Sequence, residues 1–340
     1  MKLIKTEDAV GHVICHDITR IIPGVSKDAH FRKGHTVARE DIPVLLSMGK
    51  EHLYVWEKTP GMLHENDAAL RLIALCGNEG MSTTELKEGK IELTADTDGL
   101  FCVDAERLYA VNLTEDIVIA TRHGNTAVKK GDKLCGARVV PLIISEQKIE
   151  AVEKAAGKTP LLKLTPWKLK NAGLVVTGSE VAKGRIEDKF SPVIEDKLNE
   201  FGIAVAMRVT VEDDRDIIKD AVLRMKSEGV DMIICSGGMS VDPDDKTPGA
   251  IKASGAEIIS YGAPVLPGAM FLLGYFENGV PVMGLPGCVM YNKATVFDLL
   301  LPRITAGVPV TRSDTARLGH GGLCLGCVTC GYPVCPFGKG

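Results

Sequence analysis

Four cysteines near the end of the chain have the spacing of a metal-binding segment. Cys324, Cys327, Cys330 and Cys335 are separated by gaps of two, two and four residues, and Pro336 follows the last of them. Gaps of two residues let neighbouring thiolates reach one metal centre. Zinc is usually held by two Cys-x2-Cys pairs separated by a longer loop, so this spacing favours an iron–sulfur cluster over zinc. A flexible tail with free thiols is the third possibility.

An acidic cluster is a second candidate for metal chemistry. Asp242, Asp244 and Asp245 lie within four residues and are followed by Lys246. Three carboxylates at close quarters need a counter-charge, which Lys246 or, more strongly, a divalent cation such as Mg2+ can supply. We therefore take Asp245, together with Asp244, as candidate catalytic residues, with Asp245 as a cation ligand. Thr247 is the expected cap of the following helix, with Pro248 at its first position. The alternative is that the acidic residues form a solvated turn that caps this helix.

Three loops rich in small residues each follow a strand-like run. Their sequences are Thr177-Gly178-Ser179-Glu180, Ser236-Gly237-Gly238-Met239-Ser240 and Gly284-Leu285-Pro286-Gly287. Glycine lets backbone N–H groups approach a phosphate closely. One such loop is more often an ordinary turn, but three in the same topological position favour an anionic ligand.

Alternating strands and helices position these loops from residue 171 onwards. Buried-strand runs occupy 174–176, 203–209, 232–235 and 280–283, and helical patterns occupy 191–201 and 213–225. Ser191 is the expected N-cap of the first helix, with Pro192 at its first position, and Asp213 or Asp214 caps the second. This order implies parallel strands covered by helices, and ligands bind at the carboxyl ends of such strands.

The first half of the chain has a different texture. Short β-like runs at 52–56, 100–103, 117–121 and 139–144 are separated by glycine and proline, and a helical pattern covers 145–156. We predict a β-rich accessory region at 1–165, in one or two subdomains, an α/β domain at 171–306, and a Gly/Cys-rich tail at 307–340.

Four motifs occur in an order that resembles a known family. They are Thr177-Gly178-Ser179-Glu180-Val181, Ser236-Gly237-Gly238-Met239-Ser240-Val241 leading to Asp245, Leu266-Pro267-Gly268, and Gly284-Leu285-Pro286-Gly287. This order resembles the molybdopterin molybdotransferase family over residues 171–306. The resemblance implies a three-layer molybdopterin-binding α/β domain with a mostly parallel sheet. Stretches at 31–45 and 120–131 are more weakly similar to the front end of that family, which suggests a β-rich region beside the pterin domain.

The resemblance also implies site residues and ligands. Asp245 would serve a metal-dependent step, and Mg2+ would be its ion. The implied ligand is molybdopterin or its adenylylated form, and the implied partners are molybdate, other cofactor-assembly proteins or molybdoenzymes, and a second copy of the chain in a homodimer. The residues that would line the phosphate or pterin pocket are Thr177, Gly178, Ser179, Glu180, Ser236, Gly237, Gly238, Ser240, Pro267, Gly268, Pro286 and Gly287.

Departures from the family pattern leave three functions open. The family's Ser-Ala-Met-Asp-Gly segment is not found, and Cys288-Val289 stands where Asn-Pro is usual. The first function is an enzyme that hydrolyses adenylylated molybdopterin and inserts molybdate. The second is a non-catalytic molybdopterin carrier or sensor with a metal-binding cysteine tail. The third is a nucleotide pyrophosphatase of the competence-damage-inducible protein A type, although that family usually starts with the α/β domain.

Composition narrows the class of protein. The 340 residues carry 40 basic and 44 acidic side chains, a net charge of −4, and only 5% of residues are aromatic. Without a basic tract or stacking aromatics, neither nucleic acid nor an anionic membrane is an expected partner. The charged N-terminus and the absence of a long apolar stretch predict a cytoplasmic protein.

Overall fold

The computed structural model describes residues 2–22, 26–55, 60–77, 79–239 and 245–340. The chain divides into two compact units. The N-terminal unit comprises Met1–Asp96, Val103–Gly124 and Lys130–Lys163. The C-terminal unit comprises Thr97–Cys102, Asn125–Lys129 and Leu164–Gly340, so two short internal segments belong to it together with the rest of the chain's second half.

The first half of the chain is rich in short strands, as predicted. The helices are α1 (Asp41–Ser47), α2 (Glu65–Ala74), α3 (Ala105–Asn112) and α4 (Glu146–Ala156). The strands are β1 (Lys2–Lys5), β2 (Ile18–Ile22), β3 (Ser26–Phe31), β4 (His52–Val55), β5 (Met62–His64), β6 (Met81–Thr83), β7 (Ile91–Ala95), β8 (Gly99–Val103), β9 (Ile117–Thr121), β10 (Thr126–Val128), β11 (Lys133–Val139), β12 (Ile143–Ser145) and β13 (Leu162–Pro166).

Antiparallel pairing organises the N-terminal unit. Its largest sheet has the order β6-β7-β11-β9, and β1 pairs with β4 and β5 with β12. The strand predicted over 139–144 is wrong, because β11 ends at Val139 and β12 begins at Ile143. Pro141 lies between them and cannot donate a hydrogen bond to a ladder. Of the strand predicted over 52–56, residue 56 lies outside the described residues.

The second half of the chain alternates strands and helices. The strands are β14 (Asn171–Thr177), β15 (Ala204–Val211), β16 (Met232–Ser236), β17 (Glu257–Tyr261), β18 (Leu272–Tyr275) and β19 (Pro281–Leu285). The helices are α5 (Ser179–Ala182), α6 (Phe190–Asn199), α7 (Arg215–Ser227), α8 (Thr247–Ala253), α9 (Val296–Thr305) and α10 (Arg312–Arg317).

These strands form one mostly parallel sheet in the order β15-β14-β16-β19-β18-β17. β14, β15, β16 and β19 are parallel to one another, and β18 runs antiparallel between β19 and β17. Because β18 is antiparallel to both of its neighbours, β17 and β19 run in the same direction. The four parallel strands and β17 therefore all end at one edge of the sheet.

Helices cover both faces of this sheet. Leu174 and Val176 of β14 face the cluster that contains α6 and α9, whereas Val175 faces the cluster that contains α7 and α8. Side chains alternate across a strand, so apolar runs such as 174–176 supply both faces at once. The prediction of a three-layer α/β domain is confirmed.

Two local expectations about helix starts are wrong. α6 begins at Phe190, and the capping carboxylate is Asp188, whose Oδ1 accepts hydrogen bonds from Phe190 N at 2.9 Å and Ser191 N at 3.1 Å. Ser191 is therefore inside the helix. α8 begins at Thr247 and is preceded by Lys246 at the cap position, so Thr247 is its first residue and not its cap.

No helix in the described part of the chain has the length and apolar character needed to cross a membrane.

Candidate functional site

Three loops begin at the carboxyl edge of the sheet. Ser236, the last residue of β16, lies in register with Val176 of β14 and with Leu285 of β19. Val176 and Leu285 therefore flank Ser236 in the sheet. Thr177 and Pro286 are the next residues of these two neighbouring chain segments. We refer to segments 177–179, 236–238 and 285–287 as the edge loops.

Buried hydroxyls tie the first two edge loops to α8. The Thr177 hydroxyl donates to the Ser236 carbonyl at 3.2 Å, and the Thr247 hydroxyl donates to the Gly237 carbonyl at 2.9 Å. The two threonine oxygens are 3.3 Å apart. Both threonines are buried. Buried polar groups normally find partners, and here the partners fix the backbone of the Ser-Gly-Gly turn.

Glycine is required in that turn. Gly237 has φ +91° and Gly238 φ +55°, both in the left-handed region. A Cβ on Gly237 would lie 2.3 Å from the Thr177 carbonyl oxygen, and one on Gly238 would lie 2.9 Å from the Thr247 hydroxyl. The loops thus pack backbone against backbone, which leaves no space for side chains between them.

The Ser236 side chain differs from its neighbours. It is fully buried, yet its hydroxyl has no hydrogen-bond partner among the described residues. A buried unpaired hydroxyl costs stability, about 1–3 kcal/mol. Its position at the centre of the edge loops is therefore not explained by stabilisation of the fold alone.

Asp213 is a site residue that the sequence analysis did not identify as such. Its Oδ2 accepts the Ser179 backbone N–H at 3.0 Å, and Oδ1 lies 3.4 Å from the position of a Cβ on Gly238. Asp214 caps α7 through the backbone N–H groups of Asp216 and Ile217. The only sequence signal for this role is that Asp213 and Asp214 are adjacent, although α7 needs only one of them as its cap. Glu180, by contrast, is exposed.

Asp245 lies beside the Ser-Gly-Gly loop. The Tyr261 hydroxyl donates to the Met239 carbonyl at 3.2 Å. Burial raises the pKa of Tyr261, and the nearby negative charge of Asp245 raises it further. Asp245 is two residues before Thr247, whose hydroxyl bonds to the Gly237 carbonyl, so it lies near the Ser-Gly-Gly loop. Ser240 and Asp244, also predicted as site residues, lie outside the described residues.

Two further predicted pocket residues, Gly268 and Gly287, lie close to α9 and α6. Gly268 is buried, and a Cβ there would lie 2.9 Å from the Val296 backbone nitrogen at the start of α9. Pro286 is buried and Gly287 is exposed, with the Phe190 ring 3.9 Å from the position of its Cβ. These residues follow β17 and β19, so they lie at the same edge as the Ser-Gly-Gly loop.

Metal ligands are only partly assembled. Within the part of the chain that the structure describes, no three His, Cys, Asp or Glu side chains are grouped closely enough to hold a metal ion. This includes the four tail cysteines. Asp213 and Asp245 are two carboxylates next to the edge loops, and carboxylate oxygens are the ligands that Mg2+ prefers. The donor chemistry therefore fits the predicted ion.

A known family model matches most of the C-terminal unit. Residues 173–306 match the family model described as "Probable molybdopterin binding domain". This part of the chain is therefore similar to molybdopterin-binding domains, which confirms at that level the resemblance predicted from the four motifs. Residues 3–57 match a second model, "Domain of unknown function (DUF8806)".

Curated relatives match a short part of this chain. A CinA-like protein of Mycobacterium sp. (strain MCS) is 42% identical over 90 residues, which is 26% of this chain and 21% of the relative. A CinA-like protein of Mycobacterium avium (strain 104) is 44% identical over 77 residues, 22% of this chain and 18% of the relative. The matches span about a fifth of the length of these relatives.

Solved structures also match. The tungsten cofactor synthesizing protein MoaB from Pyrococcus furiosus is 21% identical, with a TM-score of 0.31, over 42% of this chain and 89% of that one. The protein CinA from Thermoplasma acidophilum is 22% identical, with a TM-score of 0.34, over 40% and 98%.

Proposed function

We propose that the C-terminal unit binds molybdopterin, or its adenylylated form, with the phosphate against the edge loops. The match of residues 173–306 to the molybdopterin-binding family supports this proposal. The observation that carries it is the backbone packing at Gly237, where a Cβ would lie 2.3 Å from the Thr177 carbonyl oxygen. Loops of this kind, at the carboxyl edge of a parallel sheet, let backbone N–H groups approach a phosphate closely.

The reaction that fits this site best is hydrolysis of adenylylated molybdopterin, followed by molybdate insertion. In the hydrolysis, the oxygen of water joins one phosphorus of the pyrophosphate and one P–O bond breaks. AMP and molybdopterin then leave as separate phosphates. In the insertion, the two dithiolene thiols give their protons to one oxide of molybdate, which leaves as water, and both sulfurs bind the molybdenum. Asp245, together with Asp244, would hold Mg2+, which would neutralise charge on the pyrophosphate. Backbone N–H groups of the edge loops would orient the phosphate and stabilise its charge.

Two other functions use the same pocket. The similarity to mycobacterial CinA-like proteins, 42% identical over 90 residues, favours a nucleotide pyrophosphatase as the second candidate. A carrier or sensor that binds the pterin without turnover is the third, because the Ser-Ala-Met-Asp-Gly segment is not found in the sequence. Molybdate, other assembly proteins, a homodimer and a cytoplasmic location stay predictions.

An anaerobic assay separates the three functions. The purified chain is incubated with molybdopterin, adenylylated molybdopterin or ADP-ribose, and both binding and AMP release are measured. We expect AMP release from adenylylated molybdopterin in the presence of Mg2+. AMP release from ADP-ribose instead would establish the pyrophosphatase. Pterin binding without turnover would establish the carrier or sensor, and no pterin binding would overturn the proposal.

A further inference from the structure

The cysteine segment, residues 324–335, is fixed to the C-terminal unit at its first end. The backbone N–H of Cys324 donates to the Leu266 carbonyl at 2.8 Å, and the Leu266 N–H donates to the Gly322 carbonyl at 2.8 Å. Leu266 and Leu323 form a parallel bridge. The start of the segment is therefore attached to the loop that carries Pro267 and Gly268.

The other end is fixed as well. The Tyr332 hydroxyl donates to the Asp298 carbonyl in α9 at 2.9 Å. Phe337 is 4% exposed and belongs to the core that α6 and α9 share. The Gly338 N–H donates to the Gly321 carbonyl at 2.9 Å, so the two ends of the segment meet. A loop whose ends are already joined loses less entropy when it closes on a ligand.

Between these fixed ends the side chains are thiols and exposed apolar groups. Cys327 and Cys330 are exposed, whereas Cys324 and Cys335 are partly buried against the core. Leu325 is 71% exposed, Val334 87% and Val328 fully exposed. Apolar residues around a metal centre exclude solvent from it.

We propose that Cys324, Cys327, Cys330 and Cys335 hold one metal centre through four thiolates. Soft thiolate ligands select an iron–sulfur cluster or zinc, and the spacing favours the cluster. The thiols are not grouped in the described structure, so binding closes the exposed stretch 325–331 over the centre. Each thiol releases its proton to solvent, and its sulfur replaces a ligand of the incoming ion or preassembled cluster. No electron is transferred in this exchange.

The position of the segment links this centre to the edge loops. The loop at 262–271 follows β17, which ends at the same edge of the sheet as β14, β16 and β19. The Leu266 carbonyl in this loop accepts the bond that fixes Cys324. The metal centre therefore lies at the carboxyl edge and is tied to a loop that contains predicted pocket residues.

Metal analysis of three proteins tests the proposal. They are the full chain, the double variant Cys327→Ser/Cys330→Ser and the control Cys102→Ser, whose cysteine is partly exposed outside the tail. Each is purified anaerobically and washed with a mild chelator. A preparation without metal is then reconstituted with equal amounts of ferrous and ferric iron and with sulfide, or with zinc. Iron, acid-labile sulfide, zinc and visible absorption are measured, and circular dichroism checks the fold.

We expect the parent and Cys102→Ser to retain about four iron and four sulfide per chain, or about one zinc, whereas the double variant retains less than about a tenth of that. Iron with sulfide identifies a cluster, and zinc alone identifies a zinc centre; either result supports the four-thiolate site. A metal-free parent after both reconstitutions, or a double variant that keeps its metal while folded, overturns it. Neither result depends on whether the protein binds a pterin.

Discussion

The edge loops and the cysteine segment are two regions at one edge of the same sheet, and they are built in opposite ways. The edge loops are held throughout by backbone packing and buried hydroxyls, as at Gly237 and Thr247. The cysteine segment is held only at its ends, by Cys324, Tyr332 and Phe337. Its middle exposes thiols and apolar side chains to solvent.

This difference indicates two modes of ligand binding. A site whose backbone is already fixed loses little conformational entropy when a ligand arrives, so the edge loops suit a ligand that must be oriented for reaction. A segment fixed only at its ends must fold around its ligand, as small metal sites commonly do.

Substitution at Gly237 should damage the edge loops severely. Gly237→Ala combines a left-handed backbone with a Cβ 2.3 Å from a carbonyl oxygen, so we expect a loss of about 3 kcal/mol or more in the free energy of unfolding. Gly255→Ala is the matched control, since Gly255 has φ +85° with nothing within 4 Å, and it should lose only about 1 kcal/mol. Urea unfolding measures both. Equal losses would show that the packing at Gly237 is unimportant.

Removal of the Asp245 charge should separate binding from turnover. Asp245→Asn should leave pterin binding intact and slow AMP release about 100-fold, because a metal ion contributes several kcal/mol to stabilisation of the transition state. Asp220→Asn, an exposed aspartate on α7, is the control and should release AMP at the parent rate. The mechanism fails if Asp245→Asn also retains the parent rate.

Amide hydrogen exchange compares the two regions directly. We expect amides at 236–238 to exchange at least about tenfold more slowly than those at 325–331, because exposed segments with few buried contacts open easily. Loading the tail with metal should slow exchange at 325–331 and leave 236–238 unchanged. Slow exchange in the tail without metal would show that the segment is already closed.

The smallest effect concerns the Ser236 hydroxyl. Ser236→Ala removes a buried group without a partner among the described residues, so it should leave stability unchanged or raise it by about 1 kcal/mol. Ser191→Ala removes an equally buried hydroxyl that bonds to Asp188, and it should lose about 1 kcal/mol. Thermal unfolding compares the pair. If Ser236→Ala destabilises as much as Ser191→Ala, the hydroxyl has a structural role.

The sequence predicted the parallel sheet well because its strands are continuous apolar runs. The predicted strand at 232–235 became β16, and helix 213–225 became α7, capped by Asp214. A strand of a parallel sheet is buried on both faces of the sheet, so the apolar run itself identifies the strand. The three sheet-edge loops followed from the same reasoning, and two of them are joined by the bonds at Thr177.

Tertiary contacts decided what the sequence did not predict. Asp213 and Asp214 are equivalent as local caps, and only the Ser179 N–H, 34 positions away in the chain, selects Asp213 for the site. α2 was missed because its cap is unusual: the side chain of His64 accepts the Asn66 N–H. For α6, Asp188 rather than Ser191 supplies the cap. In each case the local sequence allows more than one helix cap, and tertiary contacts determine which residue takes which role.

The most direct test of the central claim is equilibrium binding of molybdopterin to the full chain under anaerobic conditions. The parent and the control Gly255→Ala should bind saturably, with one pterin per chain and a Kd of about 1 μM or tighter. A parent that binds no molybdopterin would contradict a pterin site at the edge loops.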